Sequence, residues 1–370
     1  MEHPVQDPTA PSSAPDSSCR STRRRWPTVG AVFALSAAAL GVVASSPASS
    51  AQPVAPAHSG FQVKVLATGV GGNINPDDIA VLGKDVFVGY QNGVGAMGEP
   101  ASGTGTTTST IVEYKKKKVV QTWQITGKCD GMGADASTGE ILATVNEDGN
   151  SSMYAIHPAT KKVVHLTYNV DPISLGGGGT DAVSVINGKI LISGSNPSSL
   201  TAPAVYSASL DETTGVTTLT SVFADNATAT GPSGSVTLGL TDPDSNAVVP
   251  SVSPKYAGDF ALVSQADAQV IFVNGPGTAG QTLTQLPIAT NIDDITWVTS
   301  TAGSLYMTDN SSNTVYQITG TFTPGTIFVD TASDSGVPGT LSTLNLTTGQ
   351  VTPMVIGFTN PHGLMFIPAA

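Results

Sequence analysis

The sequence predicts an all-β protein folded as a single β-propeller, and three observations carry that expectation. Apolar residues recur with a period of two and no window sustains a helical period, so the chain reads as strands throughout. Six short turns, tens of residues apart, place Asp or His ahead of an apolar strand: Pro76-Asp77-Asp78-Ile79, Cys129-Asp130-Gly131-Met132, Thr180-Asp181-Ala182-Val183, Thr241-Asp242-Pro243-Asp244, Ile292-Asp293-Asp294-Ile295 and Pro361-His362-Gly363-Leu364. Between successive copies there is room for four short strands. That is the periodicity of blades around an axis.

Taken in order, the strands justify the blades. Asp85–Tyr90, Glu140–Val145, Lys189–Ser193, Asp259–Ser264 and Ser304–Thr308 read as the second strand of each unit. Third strands follow at Ser109–Tyr114, Ser152–Ile156 and Thr314–Ile318. Tight turns at Pro158–Lys161, Asp211–Gly215 and Leu346–Gly349 lead to fourth strands such as Val119–Trp123, Val163–Thr167 and Val351–Val355. The tally gives six blades. Seven stays open, because a fourth and a first strand are missing between Ile318 and Thr326, and Gly325–Asp330 fills either slot. Phe61–Leu66 and Gly363–Ile367 are expected to meet in one composite blade that closes the ring and removes open edges.

The first 51 residues lie apart from the fold. Arg20, Arg23, Arg24 and Arg25 precede an apolar run from Val29 to Ala44, and small residues end at Ala51. This is the order of a cleaved secretory signal, with a twin-arginine pattern as an alternative export route and an uncleaved anchor as the competing reading. Residues 52–60 read as a flexible leader and 61–370 as the propeller. A secreted, extracellular location, a bacterial source and a mature chain that does not span the membrane follow as expectations.

Without that leader the chain keeps 11 Lys against 24 Asp and Glu, a net charge of −13, and no Arg at all. Guanidinium groups supply bidentate phosphate and base recognition, so a nucleic-acid role is excluded. No nucleotide cofactor is expected either: Gly176–Gly179 lacks the strand–loop–helix context and the Lys of a phosphate cradle. Cys129 is alone once Cys19 is removed, so burial must hold the fold. No Gly-x-Ser-x-Gly elbow occurs, since Gly231-Pro232-Ser233-Gly234-Ser235 misses it.

In a meander the first strand begins, and the second ends, on the same face. The Asp and His turns therefore share a face with the loops holding Gln91 and Asn92, Asn146, Glu147 and Asp148, Asp267, and Asp309 and Asn310. Long insertions at 93–108 and 196–203 fall there too, as on a binding face. If the six copies are equivalent, Asp77, Asp130, Asp181, Asp242, Asp293 and His362 form one ring around the axis. Five carboxylates and an imidazole supply the donors of a divalent cation site, with Ca²⁺ the foremost candidate and other divalent ions open. The bland alternative is that each Asp fixes its own turn, the reading preferred for Asp78, Asp244 and Asp294.

The turn-plus-strand form resembles the NHL-repeat and gluconolactonase-type six-bladed propellers, which include the senescence-marker-protein lactonases. In that family, acids or amides opening the inner strands hold one metal that polarises a lactone carbonyl and activates water. Asp130-Gly131-Met132 looks like the family's Asp-Gly-Met element. His362 stands where the family has Asn, and Asp77 stands in place of its first Glu. The resemblance implies a metal-dependent hydrolase of the lactonase or esterase type, although the family's substrate-gripping Arg has no counterpart. The residues themselves favour a secreted, monomeric, non-catalytic binding propeller that presents an acidic loop face to a small molecule, a glycan or an extracellular protein.

Overall fold

A computed structural model describes residues 60–333 and 336–369. The leader expected over 1–51 and nearly all of the linker at 52–60 lie outside the described residues. The remainder is a β-propeller with almost no helix; two 3₁₀ turns, Val70–Gly72 and Pro172–Leu175, interrupt the strands. Among the described residues no helix is long and apolar enough to cross a membrane.

After β1 (Gln62–Thr68), three antiparallel four-stranded units follow in simple order. They are β2 (Pro76–Leu82) to β5 (Lys118–Thr126) through β3 (Asp85–Tyr90) and β4 (Thr108–Lys115); β6 (Cys129–Asp135) to β9 (Lys162–Tyr168) through β7 (Glu140–Val145) and β8 (Ser152–His157); and β10 (Thr180–Ile186) to β13 (Val216–Ala224) through β11 (Lys189–Gly194) and β12 (Pro203–Asp211). A short hairpin, β14 (Thr228–Gly231) and β15 (Gly234–Thr237), then lines the outer edge of a fourth unit. That unit comprises β16 (Pro243–Val248), β17 (Phe260–Ser264), β18 (Gln269–Asn274) and β19 (Thr282–Pro287).

The last two units are interleaved. β20 (Ile295–Trp297) is an inner strand, but the next two strands, β21 (Gly303–Asp309) and β22 (Thr314–Thr319), belong to the neighbouring sheet. The chain then returns as β23 (Ile327–Thr331), β24 (Gly339–Leu344) and β25 (Val351–Phe358) to complete the sheet that β20 began. Finally β26 (Pro361–Pro368) pairs with β21, while β1 pairs with β22, giving the order β1-β22-β21-β26. The two chain ends therefore share one sheet, as expected. The expectation that Ser304–Thr308 follows Asp293 within one meander is corrected. Its partner is β26, because Leu305, Met307 and Leu364 bury together with Phe366 in one apolar cluster. Gly325–Asp330 supplies the second strand of the fifth unit, and β1 supplies the missing fourth strand of the sixth.

The inner strands pack in the closed sequence β2, β6, β10, β16, β20, β26 and back to β2. Six apolar clusters form the core, each lying between two adjacent sheets; Phe87, Trp123, Met132 and Ile141 make one, and Phe260, Phe272, Trp297 and Val329 contribute to others. Both faces of every sheet are thus covered, which is why the middle strands read as continuous apolar runs. Cys129 is fully buried in one of these clusters, a packing role. Close approach of the inner strands depends on glycine. A Cβ on Gly131 would lie 2.3 Å from the Asp181 carbonyl oxygen and 2.5 Å from the Ala182 Cα.

Candidate functional site

Regular strands send successive side chains to opposite faces, yet Asp77 and Asp78 both line the axial cavity, as do Asp293 and Asp294. The backbone explains this. The ladder register shifts between Pro76 and Ile79, between Cys129 and Met132, between Thr180 and Val183, and between Pro243 and Asn246, so β2, β6, β10 and β16 each carry a bulge at the same level. A shift in the β21–β26 ladder places His362 and Gly363 likewise. Bulges re-aim side chains, here toward the axis. Backbone groups freed by them are met by hydroxyls: Thr144 donates to the Asp181 carbonyl at 2.6 Å, and Thr308 donates to that of Asp77.

Asp77, Asp130, Asp181, Asp242, Asp293 and His362 all line one cavity of about 630 Å³ on the axis. Asp78, Asp244, Asp294 and Glu147 line it too, giving nine carboxyl groups in one space. Burial pushes the Asp77 carboxyl up to about 6, and it pushes Asp242 and Asp294 up to about 7. Burial first, then neighbouring acids, holds Asp130, Asp181 and Asp244 well above the usual carboxylate range. The Asp181 and Asp244 side chains hydrogen-bond each other, which requires a proton on one of them.

A cation of the chain's own answers part of this charge. The Lys128 ammonium lies 2.9 Å from Asp130 Oδ1 and also pairs with Glu147. Burial by itself would depress this amine, but Asp130, Glu147 and Asp77 outweigh it and hold it far above its ordinary value. Across the cavity His362 Nδ1 sits 3.5 Å from Asp77 Oδ1 and 3.4 Å from Asp293 Oδ2, while Asn360 meets its Nε2 at 2.8 Å. No Lys or His forms an ion pair with Asp181, Asp242 or Asp244 among the described residues. The axis is therefore compensated on one side and bare on the other.

An upper tier of amides holds the acids in place. Gln91 donates to Asp130 at 3.2 Å, Gln265 to Asp293 at 2.5 Å, and Asn310 to Asp77 at 3.1 Å. Gln91, Glu147 and Asn310 thus reach the cavity as the loop reading expects. Asn92, Asn146, Asp148, Asp267 and Asp309 belong to the same loops but do not line the cavity. Each ties its loop to a neighbouring segment: Asn92 donates to the Thr108 carbonyl, Asn146 accepts from the Lys128 amide, Asp148 accepts from Asn196, Asp267 accepts from Thr241, and Asp309 accepts from the Thr359 and Asn360 amides. Asp78 and Asp294 act across sheet boundaries, accepting from the Met132 amide at 2.5 Å and the Leu364 amide at 2.6 Å. Asp244 instead pairs with Asp181 in the cavity.

Four contributors were not singled out from the sequence. Lys128 directly precedes the second ring turn, and a charge count made turn by turn would find it. Thr144 and Thr308 each end a second strand shortly before Asn146 and Asn310, a recurrence visible once the blades are aligned. Asp330 lies within apolar β23; its Oδ1 accepts the Asp294 amide at 2.7 Å, and its buried Oδ2 has no hydrogen-bond partner.

One group with three ligand atoms within 4.8 Å of one another occurs among the described residues, and it is not axial. Glu140 at the start of β7, His157 at the end of β8 and Glu212 in the β12–β13 turn meet away from the axis. His157 addresses Glu140 with Nδ1 at 3.4 Å and Glu212 with Nε2 at 2.8 Å, while Lys162 also pairs with Glu212. Opposite ring nitrogens facing separate acids make a clasp between two hairpins, and one ion could take only one of those nitrogens. The axial acids stand farther apart than this group, so an ion there needs side-chain movement or water to complete its shell.

Solved structures similar to this chain include the Pseudomonas aeruginosa periplasmic gluconolactonase, at 13% identity over 80% of this chain and 89% of that one, with a TM-score of 0.46. A streptogramin B lyase shares 10% identity over 82% and 91%, with a TM-score of 0.43. A functionally unknown protein from Desulfotomaculum acetoxidans shares 12% over 80% and 90%, with a TM-score of 0.45. Gluconolactonase-like propellers are thus among its structural neighbours. No family model matches the sequence, and no curated protein matches it.

The buried acids make ion-free stability depend on pH, and the sign is fixed. Asp77, Asp242 and Asp294 keep protons in the folded state up to about 6 or 7, whereas the unfolded chain releases them near 3.8. Their stabilising contribution is complete below 3.8 and is lost as pH rises through 6 to 7. In EDTA, the urea midpoint is expected to fall steadily from about pH 4.5 to about pH 7.5. A midpoint that rises across that window would contradict the assignment of buried, protonated acids.

Proposed function

We propose that this protein is a binding propeller whose axial cavity takes a cation, with Ca²⁺ the ion that the donor set fits best. The observation that carries the reading is the bare sector: Asp181, Asp242 and Asp244 face the cavity without a basic partner, while Lys128 and His362 serve the opposite side. All three offer only oxygen, the donor that hard divalent ions prefer. A bound ion would take the place of the proton that the Asp181–Asp244 pair now requires. The loops that carry Glu147, Asn196 and Gln265 around the same cavity form the face on which a ligand would meet it.

A metal-dependent hydrolase is the second reading, favoured by one specific contact. His362, held between Asp77 and Asp293, is an imidazole beside a carboxylate at the cavity wall, an arrangement suited to accepting a proton from water.

Calcium titration tests the ion that both readings share, and turnover separates them. Ca²⁺ at about a hundred times its dissociation constant is expected to stabilise the chain by roughly 2.7 kcal/mol, read as a rise in melting temperature that EDTA reverses. Asp181→Asn combined with Asp242→Asn should abolish the rise while leaving the ion-free melting temperature equal or higher. An unchanged calcium response in that double variant would place the ion elsewhere. Turnover of small lactones that requires both Ca²⁺ and His362 would promote the hydrolase reading.

A further inference from the structure

The loop face carries an apolar lip beside the acidic cavity. Met97, Ile173, Leu175 and Leu200 are 48, 45, 40 and 43% exposed, four of the ten large exposed hydrophobic residues. They come from three separate loops that converge on one place. The first insertion is held by the Asp148 amide, which donates to the Ala96 carbonyl at 3.2 Å. The second carries the 3₁₀ turn Pro172–Leu175, and the third is bound to it by the Ser198 and Ser199 amides, which donate to the Gly176 carbonyl at 2.8 and 3.1 Å. Gly149 lies between the first two: a Cβ there would stand 2.7 Å from Ile173 Cδ1 and 3.2 Å from Met97 Cε, so these two side chains are neighbours. The lip adjoins the cavity through Glu147 and Asn196, both of which line it, and Asn196 donates to Asp148 at 2.6 Å.

The loops of this lip carry only acids; Lys128 reaches Glu147 from just ahead of β6, and Glu99, Asp148 and Asp171 have no basic partner among the described residues. Residues 91–107, 146–151, 169–179 and 195–203 contain Glu99, Glu147, Asp148 and Asp171 but no Lys or Arg. Apolar side chains gathered at a rim mark an interaction surface, and the surrounding acids select what can approach. An anionic lipid surface or an acidic protein would be repelled. We infer that the lip docks an extended peptide segment of a partner protein in which Lys or Arg alternates with large apolar residues, the apolar groups seating on Met97, Ile173 and Leu200 and the basic groups facing Asp148, Asp171 and Glu99. The inference rests on the loop face being the working face, as in the proposed function, but not on any bound ion.

The test uses the propeller and a fluorescein-labelled peptide of about ten residues alternating Lys and Leu, with Glu–Leu and Lys–Ser peptides as controls. Fluorescence anisotropy is expected to show saturable binding of the Lys–Leu peptide, with the Lys–Ser peptide at least about tenfold weaker and the Glu–Leu peptide silent. Met97→Ser with Ile173→Ser, both exposed and checked by circular dichroism for an intact fold, should weaken binding by about tenfold or more. The Asp181→Asn/Asp242→Asn variant should keep its peptide affinity within about threefold even where its calcium response is gone, so that loss of the ion reading and loss of this one are distinguishable. Equal affinity in the serine variant, equal affinity for the Lys–Ser peptide, or no binding would overturn the proposal. So would concentration-dependent dimerisation that the serine substitutions abolish, which would assign the lip to a second copy of the chain.

Discussion

Replacing Lys128 with methionine is expected to destabilise the protein by roughly 3–5 kcal/mol, because it leaves Asp130 and Glu147 facing each other in a buried space without their cation. Methionine conserves most of the side chain's length and packing, so the loss reports charge. Asp130 is 5% exposed and accepts only from Gln91 and the Glu147 amide besides Lys128, too few donors to hold an unpaired carboxylate. Adding Asp130→Asn and Glu147→Gln to Lys128→Met should recover most of the stability, since all three charges then leave together. Denaturant titrations of the single and triple variants make the comparison. A Lys128→Met protein within about 1 kcal/mol of the parent would mean that the axial acids are protonated without help from the ammonium.

Gly131→Ala is expected to be comparably severe. The added methyl group would sit 2.3 Å from the Asp181 carbonyl oxygen and 2.5 Å from the Ala182 Cα, both backbone atoms of the next inner strand. A side chain can rotate away from such a contact, but two strands fixed by their own ladders cannot. Separating them opens the packing around Met132 and Val183 and costs about 3 kcal/mol or more, at the upper end of overpacking effects. Gly239→Ala, where nothing lies within 4 Å of the new methyl, is the matched control and should stay within about 0.5 kcal/mol. Thermal unfolding of the two variants decides it: equal melting temperatures would show that the inner strands are not in the close contact described.

Much of the fold was legible because its signals are local. Asp85–Tyr90, Glu140–Val145 and Lys189–Gly194 are short apolar runs that were bounded within a residue, and the ring turns announced each inner strand. Sheet membership was not local. β20 and β21 read as consecutive strands of one meander, yet only the pairing of Leu305 with Phe366 and of Ile295 with Val329 reveals that they belong to different sheets. The β14–β15 hairpin passed unnoticed because Thr228–Gly231 and Gly234–Thr237 are short, polar and without alternation.

The site divided in the same way. Six side chains read as a ring do line one cavity, but in the fourth unit the bulge runs from Pro243 to Asn246, so Asp244 holds the place that Asp77, Asp130 and Asp181 hold elsewhere and Asp242 stands two residues ahead of it. The loop residues were less legible: Asn146 and Asp309 accept the amides of neighbouring segments, from Lys128 and Asn360, and an acid or amide in such a loop looks the same whether it faces a ligand or the backbone. Lys128 was hidden by a charge count made over the whole chain. The consequence is chemical, because a ring carrying its own ammonium needs less from an external ion than five acids would.

Crystals grown in EDTA and then soaked in calcium at saturating concentration test the central claim most directly. The account predicts a single anomalous peak in the axial cavity, with oxygen atoms of Asp181, Asp242 and Asp244 at about 2.3–2.6 Å and the direct hydrogen bond between Asp181 and Asp244 gone. A cavity without a peak, or a peak confined to Glu140, His157 and Glu212 away from the axis, would contradict it.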